Sequence, residues 1–164
     1  MDQEQINQVL SSDVARQLLT DKALARLAFI ARDGTPRAIP IGFLWTGSDI
    51  VMCTSTNAAK VRALRENPQV ALTIDTENFP PHVLLLRGTA ELERVEGIPD
   101  EYLQMSQSDM MSVEQREEWE RGVRSLYDAM YRIRVKPTWA KVLDFETTIP
   151  DAIQELMDRQ TART

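Results

Sequence analysis

The sequence contains very little of what disulfides and metal centres require. One cysteine, Cys53, and one histidine, His82, occur in 164 residues. A lone cysteine forms no disulfide within the chain, and structural zinc sites use four Cys or His ligands. A serine hydrolase triad would also depend on that single histidine. The composition therefore disfavours a disulfide scaffold, a metal site and a Ser-His-Asp hydrolase.

Long apolar runs and an excess of basic residues are missing as well. The longest apolar stretches, 38–45 and 83–86, are far shorter than the roughly 20 residues that cross a bilayer. With 19 basic against 25 acidic side chains, the net charge is -6, which is unfavourable for binding a phosphate backbone. The first four residues are acidic and polar, unlike a secretory signal. We therefore expect a cytoplasmic protein that binds neither membrane nor nucleic acid.

What is present is typical of one folded domain covering residues 1–164. The chain is 43% hydrophobic and 27% charged, as in ordinary globular proteins with a sizeable core. Short aliphatic and β-branched runs alternate with turn signals such as Asp33-Gly34, and helical periodicity appears near both ends. These patterns predict an α+β fold, with about six antiparallel strands forming a small barrel that helices wrap.

The same patterns predict the individual elements. Strands are expected at 24–32, 37–45, 49–54, 70–75, 83–95, 131–135 and 139–145. The first three should form an antiparallel meander, because the turns between them are too short for a parallel crossover. Helices are expected at 3–20, interrupted near Ser11-Ser12-Asp13, at 57–66 with Asn57 as its N-cap, as two helices within 99–130, and at 150–159.

The segment from Cys53 to Arg62 is the most informative for function, because a strand end runs through hydroxyl residues into a helix. Unpaired amides and the helix dipole make such an N-terminus attractive to an anion, and Thr54 and Ser55 add hydroxyl donors. Lys60 in the first turn opposes the dipole unless it neutralises a bound anion. In the alternative interpretation, Thr54, Ser55 and Thr56 only cap the helix and Lys60 extends into water.

Several stretches occur in an order that points to a known family. The run from Lys60 to Leu72, with the pattern K-x-R-x-L-R-x-N-P-x-V-A-L, is the most specific of them. The other matching stretches are 26–31, 33–37, 39–45, 54–55, 86–92 and 131–137. Over residues 20–145 the chain resembles the pyridoxamine 5'-phosphate oxidase-like family of FMN-binding split barrels.

This resemblance implies a fold, a cofactor and a partner. The fold would be a six-stranded antiparallel split β-barrel flanked by helices, with terminal helices outside a core of about 20–145. The protein would be a homodimer with FMN at the subunit interface. By position, Thr54, Ser55 and Lys60 would hold the phosphate, and the strand residues Arg37, Ala38, Ile39 and Pro40 would lie along the flavin. Arg37 could equally be a solvated strand residue.

The chain also departs from the family pattern. Pyridoxamine phosphate oxidases end in an Arg-Leu-His-type motif that grips the substrate, whereas this chain has 145–148, Phe-Glu-Thr-Thr, followed by a helix. That activity is therefore disfavoured. The long acidic insert from Pro99 to Met130 looks more like relatives that use FMN or the deazaflavin F420, and sequence does not separate these two cofactors.

The sequence thus predicts a flavin-dependent oxidoreductase that acts on a small organic substrate through the cofactor, with no catalytic side chain and no metal. His82 beside two prolines is interpreted as structural or exposed, and Cys53 as a small buried hydrophobe. Arg62 and Arg65 could assist the phosphate, but arginines on a helix more often form a solvated face, so they are left out of the predicted site. The alternatives are an F420-dependent reductase on the same fold and a non-catalytic protein that binds flavin or haem.

Overall fold

Seven strands form one antiparallel sheet, and six helices flank it, in residues 1–21, 24–106 and 111–162, which the computed structural model describes. The strands are β1 (Leu24–Ile30), β2 (Pro36–Gly42), β3 (Leu44–Trp45), β4 (Ile50–Ser55), β5 (Gln69–Asp75), β6 (Val83–Glu96) and β7 (Ala129–Leu143). The helices are α1 (Gln3–Leu10), α2 (Asp13–Asp21), α3 (Ala59–Glu66), α4 (Asp100–Ser106), α5 (Val113–Leu126) and α6 (Asp151–Thr161).

The strand order is β2-β1-β5-β6-β7-β4-β3. β2 at one end of the sheet comes close to β4 near the other end, so the sheet curls towards a barrel that stays split between these two strands. The expected α+β class with an antiparallel sheet is confirmed. The sheet has seven strands where about six were expected. The expected second strand divides into β2 and β3, and the two expected segments 131–135 and 139–145 are one strand, β7.

The expected meander of the first three strands is confirmed only in part, because it is the end of the expected second strand, β3, that pairs antiparallel with β4. β2 pairs with β1, as predicted, but β4 pairs with β7 on the far side of the sheet. Phe43, only 5% exposed, interrupts the expected strand 37–45 and separates β2 from the short β3. The chain therefore crosses the split of the barrel here, and only the two residues of β3 form the expected second hairpin with β4.

β7 corrects the two expected strands 131–135 and 139–145, because it runs unbroken through Pro137. The register places Arg87 opposite Trp139 and Gly88 opposite Pro137, which leaves Thr138 as an extra residue in a β-bulge. The Thr138 hydroxyl donates a hydrogen bond to the Arg87 carbonyl at 3.3 Å. A bulge is one of the few places where a sheet tolerates a proline.

The helices match most of the predicted boundaries. The N-terminal helix is interrupted as expected, ending at Leu10 and resuming at Asp13. α5 begins with a capping box in which Ser112 and Gln115 exchange side chain to backbone hydrogen bonds. In the described ranges, no helix combines the length and the apolarity needed to span a membrane.

α4 and α5 belong to an insert, residues 97–128, that joins two strands already paired with each other. The last residue of β6, Glu96, lies opposite the first residue of β7, Ala129. Just beyond them the Gly97 amide donates to the Asp128 carbonyl at 2.7 Å. β6 and β7 therefore form a long hairpin that closes before the insert begins.

The main core fills the barrel and includes Leu18 from α2 together with Leu27, Ile50, Leu72 and Leu84, each at most 1% exposed. The helix α2 therefore packs against the barrel, and burial of these side chains supplies the main driving force for folding. A second cluster lies under the insert and comprises Cys53, Ile98, Leu103, Val123 and Met130.

Gly88 offers a test of the tight β6–β7 contact. A Cβ at this position would lie 2.6 Å from the Lys136 carbonyl oxygen and 2.7 Å from Val135 Cγ1. Gly88→Ala should lower the free energy of unfolding by about 2 kcal/mol, because a backbone atom cannot easily move away. The measurement is urea denaturation of the wild type and the variant.

Gly122 in α5 provides the matched control, because a Cβ there meets nothing within 4 Å. Gly122→Ala should raise the free energy of unfolding by roughly 0.5–1 kcal/mol, since alanine favours the helix. If both variants were equally stable, the close approach of β6 and β7 at Gly88 would be disproved.

Candidate functional site

The connection from β4 to α3 leaves the helix N-terminus without a side-chain cap. α3 begins at Ala59 with Ala58 as its N-cap, and no side chain accepts a hydrogen bond from the first turn. This corrects the expected start at Asn57. It also removes the alternative in which Thr54, Ser55 and Thr56 serve as caps. The Val61 amide donates to the Ala58 carbonyl at 3.1 Å, and the amides of Ala59 and Lys60 before it are available to an external acceptor.

Lys60 lies in this first turn, and its side chain reaches back to β4. Its Nζ atom donates a hydrogen bond to Thr54 Oγ1 at 3.0 Å, and Thr54 is buried. Burial lowers the pKa of the Lys60 ammonium, which forms no ion pair with any residue that the structure describes. A partly desolvated cation without a counter-ion is a favourable place for an anion. The alternative interpretation of Lys60 as a solvated side chain is therefore not supported.

A cavity of about 430 Å³ lies between β2 and α3, and we call it the β2–α3 cavity. Its lining residues are Phe29, Ala31, Arg32, Asp33, Arg37, Ile39, Ala59, Arg62 and Ala63. The apolar members come from both walls, and the charged members lie around them. A ligand with a planar apolar part and an anionic part has complementary surroundings in such a cavity.

The arginines of this region differ in their partners. Arg37 pairs with Asp33 at 2.9 Å and also donates to Thr35, while Arg32 pairs with Glu66 at 2.6 Å. Arg62 has no hydrogen bond or ion pair with a described residue, although it lines the cavity. Of the three, Arg62 is therefore the guanidinium best able to meet an anion.

From the sequence, Arg62 could assist the phosphate but is interpreted as part of a solvated helix face and left out of the predicted site, whereas the structure places it beside the cavity. The available signal was its place on the helix, one turn after Ala59. Arg65 is different, because its guanidinium donates to the Tyr131 hydroxyl. It stabilises the packing of α3 against β7 and lies outside the cavity lining.

The predicted site residues fall into two groups that α3 connects. Thr54 and Lys60 are joined directly by their hydrogen bond, with Ser55 beside them at the end of β4. Arg37 and Ile39 line the β2–α3 cavity together with Ala59 of the first turn. The other two predicted strand residues, Ala38 and Pro40, lie on the opposite face of β2, because successive strand residues alternate sides.

That opposite face belongs to a broad part of the sheet that we call the open face. It is formed by the strand residues whose neighbours point into the core, on β1, β2, β5, β6 and β7. Its central residues are Ala28, Ala38, Pro40, Ala71, Leu85, Arg87 and Trp139. The face is rich in small side chains, and the Arg87 guanidinium lies 4.4 Å from the Trp139 ring centre.

The insert is fastened to the sheet beside Cys53. Arg132 on β7 donates to Glu93 at 2.7 Å and to Glu101 of α4 at 2.9 Å. Cys53 lies opposite Arg132 on β4, and burial raises the pKa of its thiol to about 12. A thiol that stays protonated is a poor nucleophile, so Cys53 acts as a buried apolar residue here.

His82 lies in the turn before β6 and is partly buried. Its backbone amide donates to the Thr76 hydroxyl at 3.0 Å, and its carbonyl accepts from the Thr76 amide at 3.0 Å. These backbone contacts give His82 a place in the turn structure. They leave its imidazole without an assigned role in the site.

The sequence comparison identifies the family of this split-barrel chain. A family model described as pyridoxamine 5'-phosphate oxidase matches residues 11–137, which is most of the chain. The protein belongs to the pyridoxamine 5'-phosphate oxidase family, a family of flavin-related oxidoreductases. A search of curated proteins finds no significant match.

Solved structures share the fold at low sequence identity. An F420 reductase is 23% identical, with a TM-score of 0.56, and the match covers 76% of this chain and 94% of that one. General stress protein 26 from Bacillus anthracis is 13% identical, with a TM-score of 0.60, covering 80% and 92%. A Clostridium acetobutylicum protein of the pyridoxinephosphate oxidase family is 15% identical, with a TM-score of 0.57, covering 79% and 85%. These similarities confirm the predicted split-barrel fold.

Cys53 provides a test of the environment beside the insert. With its pKa raised to about 12, the folded thiol should react with a maleimide at pH 8 on the order of a thousandfold more slowly than the thiol in urea, because the thiolate reacts. The measurement is the labelling rate of the single cysteine. Rapid labelling of the folded protein would contradict a buried, neutral thiol.

The same thiol predicts a pH dependence of stability. Between the ordinary pKa of 9.0 and about 12, the unfolded thiol ionises while the folded thiol remains neutral, which favours the unfolded state as pH rises. The wild type should therefore lose stability relative to Cys53→Ala between pH 8.5 and about pH 10.5. Urea denaturation of both proteins measures the difference. If the wild type and Cys53→Ala differed in unfolding free energy by the same amount at both pH values, this assignment would be refuted.

Proposed function

We propose that this protein is a cytoplasmic flavin-dependent oxidoreductase that binds FMN and acts on a small organic substrate. The observation that carries the proposal is the Lys60 ammonium at the uncapped start of α3, partly buried and hydrogen-bonded to Thr54. No carboxylate of the described chain pairs with this ammonium, and the phosphate monoester of FMN would supply the missing negative charge. Membership of the pyridoxamine 5'-phosphate oxidase family supports a flavin as the carrier of that phosphate.

The residues present fit the phosphate of FMN. Lys60 offers an ammonium, Thr54 and Ser55 offer hydroxyls, and the first turn of α3 offers amides that no side chain caps. Charge-assisted hydrogen bonds of this kind are roughly twice as strong as neutral ones. Arg62 adds a cation without a partner in the described chain at the neighbouring cavity.

The edge strand β2 fits the flavin ring. In the described chain β2 pairs with β1 alone, so its other side presents backbone groups that can meet the polar edge of a planar ligand. Arg37 and Ile39 face the β2–α3 cavity and Ala38 and Pro40 face the open face, so this strand reaches ligands on either side. The segment from Arg37 to Pro40 is thus our proposed flavin-binding strand.

The chain's own contribution to the reaction is to bind, orient and exclude water. Bound flavin supplies the redox chemistry, because it can accept or donate a hydride. Apolar side chains such as Phe29 and Ile39 line the β2–α3 cavity and keep water from its walls. Cys53 remains protonated and His82 lies in a turn, so we assign no catalytic side chain. Holding a substrate close to the cofactor is itself a large part of catalysis.

We also propose that the protein is a homodimer through its open face. Small residues such as Ala28, Ala38 and Ala71 let two sheets approach closely, and Trp139 provides an aromatic anchor. Trp45 packs against the core of its own chain and is not part of this face. Light scattering at micromolar concentration with FMN should give twice the monomer mass, and a monomer would refute a shared site.

A second candidate is a reductase that uses F420 on the same scaffold. The F420 reductase among the similar structures motivates it, and the proposed phosphate site would serve either cofactor. A non-catalytic protein that stores or senses flavin or haem is the alternative from another class. The cofactor retained on purification distinguishes these candidates, because flavin, deazaflavin and haem absorb at different wavelengths.

Lys60→Ala tests the phosphate site directly. The substitution should weaken FMN binding by about 1.5–3 kcal/mol, roughly ten- to 150-fold in Kd, because it removes a charge-assisted hydrogen bond. Riboflavin has no phosphate, so its Kd should change less than about twofold. Calorimetry or fluorescence quenching measures both ligands.

Lys136→Ala provides the control, because Lys136 is an exposed lysine on β7. It should leave the Kd of FMN unchanged. Equal losses of FMN and riboflavin affinity in Lys60→Ala would mean that Lys60 acts through the fold and that the phosphate lies elsewhere.

Redox activity tests the proposed function as a whole. Mixed with reduced nicotinamide or reduced F420 and a panel of small organic acceptors, the holoprotein should show cofactor absorbance changes in a stopped-flow record. His82→Ala and Cys53→Ala should retain turnover, because the reacting atoms belong to the cofactor. A cofactor that binds tightly and stays in one redox state with every partner would favour storage or sensing.

A further inference from the structure

A cleft lies between the N-terminal helices and the turn that joins β3 to β4, and we call it the α1–β3 cleft. Its volume is about 520 Å³, which is in the range of cavities that hold small organic molecules. Side chains from α1, α2, β3, the β3–β4 turn and β7 form its walls. The lining includes Gln3, Asn7, Arg16, Trp45, Ser48 and Lys136.

The charged side chains that line this cleft are both basic. Arg16 and Lys136 form no ion pair with any residue that the structure describes, and no acidic side chain is among the lining residues. Of the acids nearby in the chain, Asp13 lines a different cavity, and the Asp49 carboxylate accepts a hydrogen bond from the Ser48 hydroxyl at 3.0 Å. A cleft lined by charge of one sign focuses the electrostatic field. The α1–β3 cleft therefore favours an anion, although the chain as a whole is acidic.

The corner between α1 and α2 sets the positions of the polar groups. Gln3 and Asn7 lie one turn apart on α1, and the Gln3 amide nitrogen donates to Asn7 Oδ1 at 2.9 Å. The Asn7 amide nitrogen has no hydrogen-bond partner in the described chain, so it can donate to a ligand. At the corner the Ser12 hydroxyl donates to the Val9 carbonyl at 2.7 Å. This bond helps to fix the turn that brings Arg16 to the cleft.

Trp45 gives the cleft an aromatic wall. Its side chain is partly buried and packs against the main core, and it also lines the cleft. The core contact holds the indole in place, so a ligand that stacks on it does not have to order a mobile side chain. A planar aromatic ligand therefore fits this wall.

The α1–β3 cleft is separate from the proposed phosphate site. Ser48 precedes β4, whereas Thr54 and Ser55 end it. A strand of six residues is roughly 17 Å long, so the cleft and the Lys60 ammonium lie near opposite ends of β4. Lys136 thus takes part in the cleft without contacting the proposed phosphate site.

We propose that the α1–β3 cleft binds a small aromatic carboxylate at a site distinct from that of the cofactor. The ring of the ligand stacks on Trp45, and its carboxylate lies between Arg16 and Lys136. A guanidinium can donate two parallel hydrogen bonds to a carboxylate, which gives both strength and orientation. The proposal depends neither on the flavin nor on the oligomeric state.

Two probes that share a ring system but differ in charge test the role of the bases. In calorimetry, 2-naphthoate should bind at least about tenfold more tightly than 2-naphthamide, because only the carboxylate forms charge-assisted hydrogen bonds. Arg16→Gln should raise the Kd of 2-naphthoate by about fivefold or more and that of 2-naphthamide by less than about twofold. Arg121→Gln removes the same charge from an exposed position on α5 and should change neither Kd. Equal affinities of the wild type for the two probes, or no binding of 2-naphthoate, would overturn the proposal.

A second pair of variants tests the location of the site. Ser48→Trp fills the cleft from an exposed turn and should raise the Kd of 2-naphthoate by about tenfold or more, because the ligand and the new side chain compete for the same volume. Ser125→Trp, on the exposed side of α5, should leave it unchanged. Saturating FMN should also leave the Kd of 2-naphthoate unchanged. Displacement of 2-naphthoate by FMN, or tight binding to Ser48→Trp, would show that the ligand binds elsewhere and would overturn the proposal.

Discussion

The Lys60 ammonium lies at the start of α3 with a hydroxyl beside it and no described carboxylate to neutralise it. Partial burial makes this charge costly, as the lowered pKa of Lys60 indicates, and a chain gains nothing in stability from such an arrangement alone. We propose that the role of this charge is to bind an anion. The end of β4, the bare N-cap at Ala58 and the course of α3 together keep the charge in place.

The same constraint explains how the site is divided. Lys60 and Thr54 form an anion-attracting end, and the β2–α3 cavity, lined by Arg37, Ile39 and Arg62, extends from the same helix. α3 contributes to both, so its packing sets their relative position. The bond from Arg65 to Tyr131 and the burial of Leu64 hold α3 against the barrel. The contacts that hold α3 against the barrel therefore also fix the positions of Lys60 and Arg62.

Sequence predicted the local features well because each depends on neighbours in the chain. The break at Ser11-Ser12, the capping box at Ser112 and the strand alternation of β1 all follow from spacing alone. Pairing across the sheet did not follow, because nothing local says that β4 joins β7 after the chain crosses at Phe43. From the sequence alone Pro137 indicates the end of a strand. The bulge that accommodates it forms opposite Gly88 of β6, which is far away in the sequence.

The candidate site shows the same division between local features, which the sequence predicts, and features that depend on tertiary packing. The hydroxyls and Lys60 lie within one short segment, residues 54–60, so their proximity was predictable, and the hydrogen bond between Lys60 and Thr54 agrees with it. Arg62 could not be separated from Arg65 by sequence, since both are exposed arginines on one helix. Only the tertiary packing shows that one faces the cavity and the other faces Tyr131.

The hairpin of β6 and β7 closes at Glu96 and Ala129 before the helical insert begins. Loop closure costs rise slowly with length, so lineages could lengthen, shorten or replace residues 97–128 while the strand register stayed as it is. The cavity beside α3 is lined by residues outside the insert. A change in the length of the insert would therefore leave the cavity and the strand register in place, at a small cost in loop-closure entropy.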